Sequence, residues 1–190
     1  FKLTPLPRKE TTLVATFETV QQCLDAGLSI FHSHVMPLAL THFDSVVNRI
    51  SNATRLDGSH FLAIRLVGKP LTLERQVRES GSLCRENGTK TVEPLGQEDA
   101  VILWRRLADF GWEEDTTPVI AGRISILPSN VPLLSANLET SESTGGLYPA
   151  IISHPGHGTI LVHWFADRPE VSNHTASEIL FTPLESVHGL

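Results

Sequence analysis

The chain has 190 residues, of which 41% are hydrophobic and 19% charged, so it can build one good core and is not disordered as a whole. Its formal net charge of −6 excludes a dedicated nucleic-acid binder, which would carry a basic stripe. An anionic ligand held by local arginines remains compatible with that charge. No apolar run approaches the ~20 residues that cross a bilayer. Cys23 and Cys84 fall at apolar phases of predicted helices and make no disulfide framework.

The first half reads as strand, helix, strand, strand, helix, strand. Thr11 to Phe17 is a β-branched stretch suited to a strand. Thr19 then offers an N-cap, with Gln22 completing a capping box, and Val20, Leu24, Phe31 and Val35 follow at helical spacing. Pro37 is the expected stop, which places His32 and His34 on that helix, diverging at i and i+2. Leu38 to Phe43 is the next extended segment. A turn-rich stretch from Asn48 to His60 has room for one short helix. Phe61 to Val67 is a buried strand broken by Gly68. Pro70 suits a first helical turn, Leu73, Val77 and Cys84 carry the stripe, and Asn87-Gly88 closes it. Thr89 to Glu93 completes the set.

The second half repeats this order imperfectly. Gln97 to Phe110 is the strongest helix, with Ala100, Leu103, Trp104 and Leu107 on one face and Gly111 at the C-cap. Val119 to Leu127 is a strand, Asn130 caps a helix holding Pro132 in its first turn, and SESTGG is a loop. Tyr148 to Ser153 and Thr159 to Phe165 form a hairpin across His154-Pro155-Gly156-His157-Gly158. The expected fold is α+β: two ferredoxin-like (split βαβ) halves, residues 1–96 and 97–190, sharing a largely antiparallel sheet covered by helices. The second half is expected to carry a truncated C-terminal segment.

Three segments carry a resemblance: FLAIRLVG (Phe61 to Gly68), ILWRRLADFGW (Ile102 to Trp112) and GRISILPSNVPLL (Gly122 to Leu134). With LPRKETTLVATFETVQQCLDAGLSI and Pro37-Leu38-Ala39, their order and spacing resemble the C-terminal substrate (cap) domain of FAD-linked oxidases. The match is most similar to the FAD-binding subunit of glycolate oxidase. The resemblance implies FAD, bound mainly by an upstream domain absent from this chain. It also implies that this fragment alone is not active. The start at Phe1 rather than Met fits an excised piece.

The resemblance further implies a site that clamps a 2-hydroxy acid while hydride leaves its α-carbon for the flavin. Arginine suits the clamp, because its planar fork matches a carboxylate with two charge-assisted bonds. Arg123, in RISILP, is the first candidate, followed by Arg65 in FLAIRLVG and Arg106 beside Trp104. Each also has a plain structural reading as a solvent-facing or carboxylate-paired arginine. Relatives often carry an arginine three residues after the tryptophan. Here that position is Leu107, and Arg105 and Arg106 fall one and two residues after Trp104.

His154, His157 and His163 surround the Gly-rich hairpin and are weak metal candidates. Some relatives carry His-x-Gly-Asp-Gly-Asn-x-His in this region. In HPGHGTIL the aspartate position is His157, the asparagine position Thr159 and the second histidine position Leu161, so no metal is expected. No dinucleotide fingerprint, nucleophile elbow or catalytic residue stands out. The resemblance thus implies, as the expected function, the cap domain of an FAD-dependent oxidoreductase acting on glycolate, D-lactate or a similar acid. Its expected partners are other subunits of an oxidase complex, and its default location is cytoplasmic, meeting a membrane only through that complex. Two alternatives stay open: a non-catalytic flavoprotein-family subunit that mainly contacts partners, and an unrelated α+β ligand-binding domain.

Overall fold

Strict alternation along the strands decides which helices cover which face. In β1 (Lys9–Phe17), Leu13, Ala15 and Phe17 enter one core cluster and Val14 enters another. A computed structural model describes residues 9–113, 117–140 and 147–166. After β1 come α1 (Val20–Phe31), β2 (Ala39–Asp44), α2 (Ser45–Ser51), β3 (His60–Gly68), α3 (Pro70–Glu86) and β4 (Thr91–Pro94). The second half holds α4 (Gln97–Ala108), β5 (Ile120–Ser125), α5 (Val131–Thr140), β6 (Leu147–His154) and β7 (Thr159–Ala166). SESTGG, the segment after Ala166 and the first eight residues lie outside the described residues.

All strands join one seven-stranded sheet in the order β4-β1-β3-β2-β6-β7-β5, and every pairing is antiparallel. The fold is α+β and ferredoxin-like, as the sequence predicts. Its first four strands stand in the order 4-1-3-2 of a split βαβ unit. Strands β5, β6 and β7 repeat the relative placement of β1, β2 and β3, so the two equivalent strands β2 and β6 meet at the centre. That seam is short, pairing His42 with Ser153 and Phe43 with Ile152.

One face of the sheet packs against α1, α3 and α5. Its core runs from Leu13, Leu62 and Ile64 to Leu134, Ile151, Ile160 and Trp164. The other face is covered over β1, β3 and part of β2 and β6 by α2, α4 and the turn after α4, through Val47, Leu103, Leu107 and Phe110 against Phe43 and Phe61. Cys23 on α1 and Cys84 on α3 are free and buried in the first core. Burial pushes both thiols up, Cys84 to about 12, so neither is poised as a thiolate.

Local signals explain most boundaries. Thr19 caps α1 by accepting the Gln22 amide at 3.3 Å, and Pro70 occupies the first turn of α3. One boundary differs from expectation. Helix α1 ends at Phe31, before Pro37, because the Ser33 hydroxyl donates to the Ile30 carbonyl and accepts the Val35 amide. His32 is therefore a cap residue and His34 lies in the following loop, so neither stands inside the helix. The short helix in the turn-rich stretch is α2, capped by Asp44 and ended by Asn52 in a left-handed conformation.

Candidate functional site

Strand β5 is an edge strand with a sharp alternation. Ile120, Gly122 and Ile124 are half-buried toward α5, and Ala121, Arg123 and Ser125 are exposed on the other face. Register extends that open face inward: Arg123 stands opposite Leu161, and Ser125 opposite Thr159. Thr159 pairs with His154, and Leu161 with Ile152. Leu161, Thr159 and His154 are all half-buried, so this corner of the sheet is not fully covered by helices.

The corner is built of groups suited to an anion. Among the described residues Arg123 makes no ion pair. His154 Nδ1 lies 3.2 Å from the Thr41 hydroxyl, which fixes its ring against β2. Burial holds the His154 imidazole below the ordinary histidine range, helped by His157 and by Arg123 and opposed by a hydrogen bond with the Leu40 backbone. His154 is thus a neutral ring close enough to feel two positive or potentially positive neighbours. A carboxylate placed there would meet a free guanidinium and a hydrogen-bonding imidazole.

The other predicted arginines lie elsewhere. Arg65 is on β3, separated from β5 by three intervening strands, and its Nη2 pairs with Glu10 Oε2 at 2.9 Å. Arg106 is on α4 and donates to the carbonyl of Asn52, tying α4 to the end of α2. Trp104 Nε1 donates to the buried Thr12 hydroxyl at 2.9 Å, which anchors α4 on β1. Leu107, at the position where the resemblance implies an arginine, is buried in the core under α4.

The three hairpin histidines do not converge. His154 and His157 flank a 3-10 turn, with His157 exposed. His163 packs edge-on against Phe110 at 5.1 Å and abuts Gly111, and burial lowers its pKa. Among the described residues no group of three or more His, Cys, Asp or Glu is arranged to hold a metal ion.

Sequence reasoning missed a second polar cluster, buried on the opposite face beneath α5. His42 Nε2 lies 3.3 Å from His60 Nδ1, and His60 Nε2 lies 3.2 Å from Glu139 Oε1. Asp44, buried beside them, accepts the amides of Val47 and Ile151, each at 2.7 Å. A signal was present: His42 shares the phase of Leu40, and His60 the phase of Leu62 and Ile64. Both histidines therefore had to point into the core.

No protein-family model matches the sequence, and no curated protein sequence matches it. Solved structures do share the fold. Alkyldihydroxyacetonephosphate synthase superposes with a TM-score of 0.63 at 12% identity, covering 95% of this chain and 41% of that one. p-Cresol methylhydroxylase with substrate bound gives a TM-score of 0.68 at 13% identity, covering 97% of this chain and 44% of that one. The chain spans less than half the length of these structures and is similar to them in fold.

Proposed function

We propose that this chain is the substrate-side cap domain of an FAD-dependent oxidoreductase that oxidises a small 2-hydroxy acid such as glycolate or D-lactate. Support comes from the motif resemblance and from the shared fold of two proteins in the FAD-linked oxidase family. The observation that carries the choice of substrate is Arg123, without an ion pair among the described residues, on the same open sheet face as His154 and Thr41.

The described residues fit a wall against a planar ring better than a grip on a dinucleotide. Gly156 and Gly158 lead into strand β7, not into a helix N-terminus, so no pyrophosphate cradle forms there. The exposed row of Ala121, Arg123 and Ser125 offers a flat surface with one charge. When bound, FAD would supply the hydride acceptor. In this reading Arg123 clamps the carboxylate. His154, oriented by Thr41 and held neutral by burial, stands ready to take the hydroxyl proton at the imidazole nitrogen facing away from Thr41.

A second reading, a non-catalytic subunit that mainly contacts partners of an oxidase complex, is favoured by one observation. Leu107 is buried where the resemblance implies a second arginine, leaving Arg123 to act without it. No described helix is long and apolar enough to cross a membrane. Anaerobic mixing of the purified natural polypeptide with glycolate or D-lactate separates the two readings. Bleaching that is lost in Arg123→Ala supports the catalytic reading. A flavin that never bleaches supports the subunit reading.

A further inference from the structure

Helix α5 meets the sheet through polar groups at the place where the two halves join. Ser135 and Glu139 lie one turn apart on α5. Ser135 Oγ is 3.2 Å from Ser153 Oγ on β6, and both are fully buried. Glu139 reaches His60 on β3, and His60 reaches His42 on β2. In register, His42 stands directly opposite Ser153 across the seam. This one helix therefore bonds to both halves of the sheet.

The directions of these hydrogen bonds are fixed from the surface inward. An ionised Glu139 only accepts, so His60 must carry its proton on Nε2. His60 Nδ1 is then an acceptor, and His42 must donate from Nε2. That leaves His42 Nδ1 as a bare acceptor, and among the described residues it is buried with no hydrogen-bond partner. A buried orphan nitrogen forfeits its hydration with nothing in return, which makes it unusual as plain packing.

Adding one proton reverses the chain. If His60 becomes doubly protonated, its Nδ1–H needs an acceptor, so His42 must present a bare Nε2 and carry its hydrogen on Nδ1. If instead the proton sits on Glu139, the same reversal follows, with the carboxyl donating to His60 Nε2. In every unbroken arrangement the proton count of the Glu139–His60 pair sets the polarity of a fully buried atom on β2.

We propose that Glu139, His60 and His42 form a one-proton switch that sets how α5 docks on the seam between β2 and β6. The facing titratable groups are Asp44 farther along β2 and His154 on β6, with Glu139 and His60 in the chain itself. Helix α1 meets the core around α5 through Val20 and Leu24, which carry no charge. Burial, then His60, then His154 hold His42 neutral, so uptake is directed toward the Glu139 end. Helix α5 follows β5 through a 3-10 turn at Pro128–Asn130, so a change in its docking reaches the strand that carries Arg123. The proposal rests on this geometry and not on the flavin reading.

Histidine-selective nitrogen labelling of the full natural polypeptide tests it by NMR. At about pH 8, His42 should report a protonated Nε2 and an unprotonated Nδ1. On acidification the His42 and His60 nitrogens should change together at one midpoint. Glu139→Gln, at a half-exposed position, should move that midpoint, because it removes the charge next to His60. Amides of α5 should exchange at least about tenfold faster below the midpoint. A His42 that carries its proton on Nδ1 at about pH 8 would overturn the switch. So would separate midpoints for the two rings, or a midpoint unmoved by Glu139→Gln.

Discussion

The Asp44 carboxylate accepts the backbone amide of Ile151 at 2.7 Å, joining residues 107 apart in sequence across the centre of the sheet. Its other oxygen caps α2 through the Val47 amide, also at 2.7 Å. One side chain thus starts a helix in the first half and fastens the first strand of the closing hairpin in the second. Because β2 and β6 share so short a register, this bond is a large part of what holds them in line.

Replacing Asp44 with Ala removes a cap and leaves the buried Ile151 amide without its acceptor. The expected loss is about 3 kcal/mol, combining a cap of about 1 with an unsatisfied buried donor of about 2. Urea denaturation of both proteins reads it directly. A loss below about 1 kcal/mol would mean the seam is held by packing alone.

The same residue shapes the response to acid. Burial, opposed by the two amides and His60, raises the Asp44 pKa from 3.8 to about 7. The folded chain then binds this proton more tightly than the unfolded one. Its contribution to stability is full below about pH 4 and is lost as pH rises toward about 7. His42, His154 and His163 are lowered by burial and act oppositely, giving up stability as pH falls below the ordinary histidine value. Asp44→Asn removes the compensating carboxyl, so its stability should fall more steeply between about pH 7 and pH 5 than that of the parent. Parallel curves would contradict this.

Gly158 closes the turn before β7 with φ of 64°, and the Ile126 carbonyl oxygen occupies the space a Cβ would need. Gly158→Ala should therefore destabilise by at least about 2 kcal/mol, from backbone strain together with the clash. Thermal unfolding measures it. A change within about 0.5 kcal/mol would show that the turn has another conformation available.

Trp104→Phe keeps an aromatic ring, though a smaller one, and removes the donor to Thr12, whose hydroxyl is buried. The expected cost is about 1–2 kcal/mol. Trp104→Phe in a Thr12→Val background should cost less, since the stranded hydroxyl is then gone. Equal costs in both backgrounds would remove the hydrogen bond from the account.

The sheet and its helices were legible because alternation and capping are local. FLAIRLVG announces a buried strand, and Thr19 and Pro70 announce helix starts. The end of α1 was not legible, because a Ser33 turn closed it before Pro37 could. Arg123 could be placed on a strand, but its edge position depends on strand order, which no local pattern contains. The fates of Arg65 and Arg106 were likewise decided by partners distant in sequence, Glu10 and Asn52. The His42–His60–Glu139 chain needed three elements brought together, although the phase of each histidine pointed inward.

Arg123 is exposed on an edge strand, so Arg123→Ala should change stability by no more than about 0.5 kcal/mol. The substitution should act on substrate alone. A large stability loss would instead assign this arginine a structural partner.

The central claim is that this chain caps a flavin over a hydroxy-acid site. The visible absorption spectrum of the purified natural polypeptide, before and after anaerobic D-lactate or glycolate, tests it most directly. The account predicts an oxidised-flavin spectrum that bleaches with one of the two acids. A polypeptide that binds no flavin would contradict the cap-domain reading and leave an α+β domain with a different ligand.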